Sequence, residues 1–492
     1  MKNFRIRKLL SKWIDNRIPD ILISNIVLDS RLVNFNCAFF AVIGYKNDGR
    51  KYINKAISKG ASIIISETDD INLHNKINFI NNICIVLFYL LRNNLSEIAG
   101  LFYNNPCKKT NIICITGTNG KTTITFLTSQ LLKLLNKNCS LIGTLGNGKY
   151  DNLIKTECTT DSPFDIYKEI YNKVKEKNEF ILIEASSHSL YQNRIKNLNI
   201  KLAVFTNISH EHLDFHKNMK NYKESKLKLF KDHNVNFSII NYDNEFGKYL
   251  YNLLKDKCYI LTYNKNVFKE KVLKIINIKI FKENSIIIFE KDSNIYKLDS
   301  KFCEIFNINN LLISLLILNF FKFPMENTLK LVNFLKLPCG RLNSTKYNDV
   351  EIIVDYAHTP DSFNKVLKSI KNRCINNLWC IFGCGGEKDK KKRKIMAKIV
   401  NKYSNFSIIT TDNPRNEEIN NIVNDIKKGF NKSNYKVILD REDAIRYSIK
   451  NSYKNDIILI LGKGHEDYQI IKNKKIFYSD IHLVKKIVKC LN

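Results

Sequence analysis

Short apolar runs rich in β-branched and aromatic residues, each closed by glycine or a polar loop, organise the chain. Runs that are apolar throughout instead of alternating read as strands buried on both faces. The first two stand at residues 38–43 (AFFAVI) and 61–66 (ASIIIS). Between them, after Asp48-Gly49, Tyr52, Ile53, Ala56 and Ile57 fall at helical spacing and predict a helix with one apolar face. Together these make a small α/β unit. A second series opens with NIICITGTNGKTTITFLTSQLLKLL. Residues 112–115 predict a strand, and Ile124, Leu127, Leu131 and Leu135 line one face of the helix beyond a glycine-containing turn. Further strands are expected at 180–183, 202–205 and 237–240. Their alternation with helices predicts a parallel sheet covered on both faces. A third series begins near Pro338-Cys339-Gly340-Arg341, with strands at 351–354, 378–382, 407–410 and 456–461. These four end in polar segments: DYAHTPDS, GCGGEKDK, TDNPR and GKGHEDYQ. Ligand crevices of open α/β sheets lie at the carboxyl ends of strands, so a second doubly wound domain facing a site is expected.

Length agrees with this division, since 492 residues allow about three domains of roughly 150 residues each. We expect an α/β protein of three domains at 1–108, 109–337 and 338–492. They would be a small N-terminal α/β domain, a central doubly wound parallel-sheet domain and a C-terminal Rossmann-like α/β domain. Hydrophobic residues make up 44% of the chain, enough for several cores, which excludes a wholly disordered protein. The apolar run at 83–91 is far shorter than the ~20 residues a spanning helix needs, so no membrane insertion is expected. The opening MKNFRIRKLLSKWIDNR has scattered charges and no continuous apolar stretch with a cleavage site. We therefore expect no signal peptide and a cytoplasmic protein. The 13 cysteines are odd in number and irregular in spacing. Cys374, Cys380 and Cys384 form no C-x-x-C pair, and free thiols in a reducing compartment are expected.

The formal charge of +32 invites a nucleic-acid partner, because a basic surface gains from counterion release. The distribution argues otherwise. Lysine is spread over all regions, while arginine, the residue suited to bidentate phosphate and base contacts, is scarce. A solvated surface explains this pattern, and no nucleic-acid partner is expected. The run Lys388-Asp389-Lys390-Lys391-Lys392-Arg393-Lys394 follows the FGCGGE loop and reads as a solvated, partly substrate-facing helix start.

The sharpest local signal is Gly117-Thr118-Asn119-Gly120-Lys121-Thr122-Thr123, between a predicted strand and a predicted helix. Glycines let backbone N–H groups approach a phosphate, and a helix N-terminus favours the anion. Lys121 would reach the β/γ-phosphates, and Thr122 would offer a hydroxyl to Mg²⁺. Ile115 occupies the place of the first glycine in the usual G-x-x-x-x-G-K-[ST], so the loop is a shorter G-x-x-G-K-T-T variant.

With this loop come EASSHSLYQNR, FTNISHEHLDFH, YKESK, CGRLN, DYAHTPDS, FGCGGEKDK, DNPR and GKGHEDYQ, in that order along the chain. In these motifs the chain resembles the Mur ligase family, the ATP-dependent amide ligases of peptidoglycan synthesis, essentially end to end. The resemblance implies UDP-substrate-binding, ATP-binding and amino-acid-binding domains in sequence order. It also implies a reaction in which ATP converts a peptide carboxylate to an acyl phosphate, an amine attacks and phosphate leaves. The chain would act as a monomer in cell-wall biogenesis, with ATP as co-substrate and Mg²⁺ as cofactor. Its other substrates would be UDP-N-acetylmuramoyl-L-alanyl-D-glutamate and meso-diaminopimelate.

Site residues follow by motif. Lys121, Lys226 and His212 match catalytic positions, and Thr122, Glu184, His212 and Lys226 match the metal site. Lys226, in YKESK, matches the lysine this family carbamylates to N6-carboxylysine, which would turn a cation into an oxygen ligand. Adenine and ribose are implied at Asn307, Asn310, Arg341, Asp355 and His358, with Glu304 where the family usually has glycine. Leu28, Ser30, Tyr45, Lys46 and Asn47 match positions that hold the UDP moiety. Cys158, Thr159, Thr160, Ser186, Gln192 and Arg194 match contacts to the muramoyl dipeptide, with Cys158 standing where asparagine is common. Asp412-Asn413-Pro414-Arg415 marks use of meso-diaminopimelate over lysine, Arg415 being a fitting partner for the extra carboxylate. Gly462 and Glu466 match the positions receiving the distal amino-acid end, and Lys388 replaces a usual arginine.

Three rival readings remain at this level. A related ligase, adding lysine or acting as a folylpolyglutamate synthase, shares the ATP loop, though not DNPR with the two substrate-domain motifs. His210, His212, Asp214 and His216 approach the H-x-H-x-D-H signature of metallo-hydrolases, but Phe215 stands where that signature needs histidine. A basic nucleic-acid-binding protein is the third.

Overall fold

The structure, a computed structural model, describes residues 4–15, 18–44, 47–156, 159–267, 271–472 and 474–491. The chain forms two compact units. One comprises Met1–Thr116, Leu135–Val204 and Ser225–Ser238; the other comprises Gly117–Leu134, Phe205–Glu224 and Ile239–Asn492. Both are α/β.

The first unit holds a five-stranded sheet in the order Asn25–Val27, Cys37–Ala41, Ala61–Thr68, Ile83–Tyr89, Ile77–Ile80. Its pairs are parallel except the last. The strand expected at 38–43 ends at Ala41, because Val42 and Ile43 enter a turn: Gly49 N donates to Val42 O and Ile43 N to Glu67 Oε2. The expected helix is Ile53–Ser58, preceded by a 3₁₀ turn Gly49–Tyr52 capped by Asp48. Ala56 is buried against Phe39 and Ile64. Tyr52 is 42% exposed and does not join that face, since the helix begins one residue later.

A second sheet in this unit contains Asn152–Ile154, Gly146–Lys149, Cys139–Gly143, Phe180–Glu184 and Asn111–Thr116, in that order. Phe180–Glu184 is parallel to both its neighbours, as expected. The two strands beyond Cys139–Gly143 are antiparallel, so the sheet is mixed. The reversal is a two-residue turn, Thr144-Leu145, between paired Gly143 and Gly146. The strands expected at 202–205 and 237–240 are Asn199–Phe205 and Asn234–Asn241.

In the second unit, helices Lys121–Leu134 and Ile305–Phe320 pack together. Cys258–Thr262, Val272–Ile280, Ser285–Lys291 and Asn294–Ser300 form a run of strands, antiparallel after the first pair. A six-stranded sheet follows in the order Asn343–Tyr347, Val350–Asp355, Ile457–Leu461, Leu378–Phe382, Phe406–Ile409, Tyr435–Val437. All its pairs are parallel except the first. One face, with Ile353, Cys380 and Leu459, packs under helices Pro360–Arg373, Lys391–Tyr403 and Ile419–Lys427. The other, with Val354, Ile381 and Ile458, packs under Arg441–Asn451 and Asp480–Leu491. This is the doubly wound arrangement the strand runs imply. Ile457–Leu461 enters between two earlier strands, and the resulting reversal of strand order places a crevice at the carboxyl ends.

Those ends are braced from below. Arg441 and Asp480 are both buried and make two hydrogen bonds of 2.8 Å, Nε to Oδ1 and Nη2 to Oδ2. Arg441 also donates to Thr411 O (3.2 Å) and Leu461 O (2.9 Å). One guanidinium therefore holds the backbone leading to both Asp412 and Gly462. Removing one partner of such a pair costs about 3–5 kcal/mol, because the other charge is left buried and unanswered. Among the described residues no helix is long and apolar enough to cross a membrane.

Candidate functional site: a phosphate loop and the strand ends that face it

The G-x-x-G spacing has a steric cause. A Cβ on Gly120, whose φ is +92°, would lie 2.5 Å from Asn310 Oδ1. A Cβ on Gly117 would lie 1.9 Å from Thr206 Oγ1. Neither position has room for a side chain. Thr206 Oγ1 donates to Asn119 O (2.6 Å), and Asn207 meets the loop three times. Its Oδ1 accepts from Asn119 N (3.0 Å), its Nδ2 donates to Asn119 O (3.0 Å), and its O accepts from Thr118 N (2.9 Å). The Thr118 hydroxyl lies 3.0 Å from Tyr222 OH and accepts from Ser209 N. Lys121 opens the helix and folds back, Nζ donating to Gly117 O (2.9 Å) and Thr118 O (2.8 Å). Thr122 and Thr123 are buried in its first turn. A fixed loop, a helix N-terminus and a short-tethered ammonium form an anion site.

Glu211, which the sequence reading did not single out, ties the segment ahead of Leu213–His216 to His358 at the end of Val350–Asp355. Its Oε1 accepts from His358 Nε2 at 3.0 Å, and its Oε2 lies 3.6 Å from His212 Nε2. His358 Nδ1 lies 2.8 Å from Tyr356 O. With an oxygen beside each ring nitrogen, the His358 ring is held at both ends. Burial pushes the Glu211 carboxyl up, but His212, His358 and Lys121 together outweigh it and hold the group well below the usual carboxylate range. His212 itself sits at φ +56°, at the start of the short helix Leu213–His216. Asn119 Nδ2 donates to Asp361 Oδ2 (3.0 Å), and Lys392 Nζ to His358 O (3.1 Å).

Asp355 accepts from Ala357 N (2.7 Å) and Leu342 N (3.0 Å). Burial raises its carboxyl above the usual range, with Arg341 opposing. The Arg341 guanidinium lies 4.7 Å over the Tyr356 ring, whose other neighbours include His358 and His465. Asn310 faces Gly120. Asn307 instead donates to Glu304 Oε2 (2.9 Å), and burial raises the Glu304 carboxyl. A glycine at that place could make no such bond.

DNPR forms a turn after Phe406–Ile409. Arg415 takes φ +55° and is locked there by two backbone bonds, Arg415 N to Ile470 O (3.0 Å) and Lys472 N to Arg415 O (2.7 Å). Its Nη1 donates to Gly386 O (2.8 Å) and Asn413 O (3.3 Å). Asn413 Nδ2 donates to Glu466 Oε2 (3.0 Å). Asn413 thus stands between a guanidinium and a carboxylate. Pro414 is buried, and Asp412 Oδ2 lies 2.6 Å from where a Cβ on Gly462 would sit. Lys388 packs near Arg415, with its Nζ 3.4 Å from Asp214 Oδ2.

In the first unit, Thr159, Thr160, Ser186, Gln192, Arg194 and Glu184 form one cluster. Thr160 Oγ1 donates to Glu184 O (2.7 Å) and lies 3.2 Å from Ser186 Oγ. Arg194 donates to Thr160 O (2.5 Å) and Gln192 Oε1 (2.8 Å). Glu184 accepts from Thr144 N (3.0 Å) and Thr144 Oγ1 (2.9 Å), and Thr144 Oγ1 lies 3.2 Å from Thr159 Oγ1. Ser30 is buried at the start of the 3₁₀ turn Ser30–Leu32, Leu28 is half-buried, and Asn47 is exposed. Tyr45, Lys46 and Cys158 lie outside the described residues.

Of the expected metal residues, Glu184 and Lys226 belong to the first unit, Thr122 and His212 to the second. Lys226 is 1% exposed on helix Met219–Lys231. Among the described residues, no group of three or more His, Cys, Asp or Glu could hold an ion. The hydrolase reading needs such a group.

Comparison with known proteins agrees with this geometry. The chain matches the Mur ligase middle domain over residues 115–318, the glutamate ligase domain of Mur ligases over 340–464, and the Mur ligase family catalytic domain over 22–103. It is 41% identical over 492 residues to the UDP-N-acetylmuramoyl-L-alanyl-D-glutamate–2,6-diaminopimelate ligase of Wigglesworthia glossinidia brevipalpis, covering 99% of each chain. A solved structure of a ligase of that name matches with TM-score 0.70 and 28% identity, covering 100% of this chain and 99% of the other. The MurF ligase of Thermotoga maritima in complex with ADP shares the fold, with TM-score 0.64, 16% identity and coverage of 91% and 96%. Near-complete coverage at this identity, across three family domains, means that the chain belongs to the Mur ligase family.

Proposed function

We propose that the chain is the ATP-dependent ligase that adds meso-2,6-diaminopimelate to UDP-N-acetylmuramoyl-L-alanyl-D-glutamate. The observation that carries the amino-acid choice is Asn413 held between Arg415 and Glu466 at the strand ends. A guanidinium and a carboxylate so placed suit an amino-acid end that carries both a carboxylate and an ammonium. In the first step a substrate carboxylate oxygen attacks the γ-phosphorus, and ADP leaves. In the second, the amine nitrogen bonds to the acyl carbon, the C–O bond to phosphate breaks, and the amine gives up a proton. Lys121 and the amides around Gly120 hold phosphate oxygens, while Thr160, Ser186 and Arg194 orient the peptide portion. The tight loop packing keeps these donors fixed as charge moves, which is where electrostatic catalysis originates.

Thr122, Glu184, His212 and Lys226, the last as its carbamate, would hold Mg²⁺, which when bound neutralises phosphate charge. Carbamylation joins the neutral lysine amine to CO₂ and releases one proton. Lys226→Ala is expected to lower turnover by about 100-fold or more, with partial recovery in added formate or acetate. No recovery at any concentration would reject the carbamate. We also propose cytoplasmic, monomeric action and domain boundaries at 108/109 and 337/338.

The test is phosphate release from ATP with Mg²⁺ and the UDP-dipeptide as the amino acid is varied. Release that depends on meso-diaminopimelate is expected. Equal release with L-lysine would favour the lysine-adding branch, and release without the UDP-dipeptide would overturn the ligase assignment.

A further inference from the structure

Lys463 is fully buried, with 0% of its surface exposed, in the turn that follows Ile457–Leu461. Lysines are almost never buried without a paired charge. Here the pair is Glu466: Lys463 Nζ lies 3.2 Å from Glu466 Oε2 and 3.3 Å from Asn413 Oδ1. Asn413 Nδ2 reaches the same Glu466 Oε2, and Asn413 Oδ1 also accepts from Ile470 N (2.9 Å). Glu466 therefore commits Oε2 to two donors inside the protein. Its Oε1 makes no hydrogen bond among the described residues, and the side chain keeps 16% exposure. One carboxylate oxygen is anchored and the other is offered outward.

The charges around this anchor balance, and Asp467 and Lys475, which also lie by Tyr468, add one of each sign. Arg415 and Lys463 contribute two positive charges, Asp412 and Glu466 two negative ones, and nearby Lys388 is answered by Asp214. An amino-acid end bearing both carboxylate and ammonium leaves the set neutral. A bare ammonium, as on lysine, leaves it with an excess positive charge in a partly buried place. Without Lys463 the set is negative by one, and a bare ammonium would then balance it.

Resting on the ligase function proposed above, we propose that Lys463 is a positioning residue that sets preference for a zwitterionic distal end over a bare ammonium. It acts through Glu466, by fixing its orientation and cancelling its charge.

The test compares kcat and KM for meso-diaminopimelate, L-lysine and ATP in wild type, Lys463→Met, Glu466→Gln and the double variant. For Lys463→Met, the ratio of kcat/KM for diaminopimelate over lysine should fall by about tenfold or more, chiefly through KM for diaminopimelate. The KM for ATP should stay within about twofold, because the phosphate loop is untouched. In the Glu466→Gln background, Lys463→Met should lower the ratio no further, as coupled residues require. Lys463→Arg, which keeps the charge, should retain the preference. An unchanged ratio, or losses that multiply, would overturn the role of Lys463. If Lys463→Met does not fold, Lys463→Gln keeps a donor without the charge and is held to the same outcomes. A wild-type enzyme inactive with meso-diaminopimelate would overturn the ligase function itself. An active wild type whose variants keep the ratio would overturn only the role of Lys463.

Discussion

Lys121→Ala is expected to lower phosphate release by about 10³-fold while leaving the folded structure intact. Two separate arguments support the two halves of that statement. Lys121 supplies the only side-chain cation in the GTNGKTT loop, and its Nζ is held over the loop by the Gly117 and Thr118 carbonyls. Those bonds fix where the ammonium stands before nucleotide arrives. Alanine removes the charge but favours the helix that begins there, so thermal unfolding should shift little. Phosphate release measured beside a melting curve separates the two effects. Turnover near that of wild type would reject the role, and a collapsed melting temperature would trace the loss to folding.

Arg415 is the second position of large effect. Arg415→Ala should reduce kcat/KM for meso-diaminopimelate by about 10³-fold and change that for L-lysine far less. The asymmetry follows from chemistry: only diaminopimelate brings a distal carboxylate for the guanidinium to lose. Arg415→Lys should recover a small part, because it restores charge without the planar two-pronged donor. Both substitutions keep a Cβ at φ +55°, a conformation already held by the bonds to Ile470 and Lys472. Backbone strain is therefore unchanged, and the comparison isolates the side chain. Equal losses with the two amino acids would show that Arg415 serves the turn and not the ligand.

The parallel strands that could be read were legible because they are apolar throughout, as in Ile457–Leu461, and each carried its glycine or polar tail in view; Asn25–Val27 and Tyr435–Val437, also in parallel pairs, are only three residues long and were not. The antiparallel strands were not. Ser285–Lys291 alternates buried and half-buried positions, and its Lys and Asn neighbours resemble loop composition. Cys139–Gly143, antiparallel only on its Gly146–Lys149 side, and Gly146–Lys149 itself hold three glycines in six residues, which mark turns before they mark strands. Within the site, Lys121 and Arg415 declared themselves through motifs. Asn207, Glu211 and Lys463 did not, although each lies inside a motif that was recognised as a whole. Their roles depend on what folds against them: Asn207 on the Asn119 backbone, Glu211 on His358, Lys463 on Glu466. No spacing rule encodes such meetings. Tyr52 failed for a local reason, the 3₁₀ turn that Asp48 caps ahead of the helix.

The placement of Ile457–Leu461 between Val350–Asp355 and Leu378–Phe382 also bears on how the protein is made. Until residue 461 has been synthesised, those two strands present unpaired inner edges, one to the other, across a gap only a later segment fills. Such edges are templates for pairing with other chains, and the closure has high sequence separation, which slows it. During synthesis the nascent domain therefore has its greatest exposure to aggregation just before its last parallel strand inserts. The same insertion brings Gly462 and Glu466 to Asp412 and Asn413, so amino-acid selectivity is among the last properties the growing polypeptide acquires.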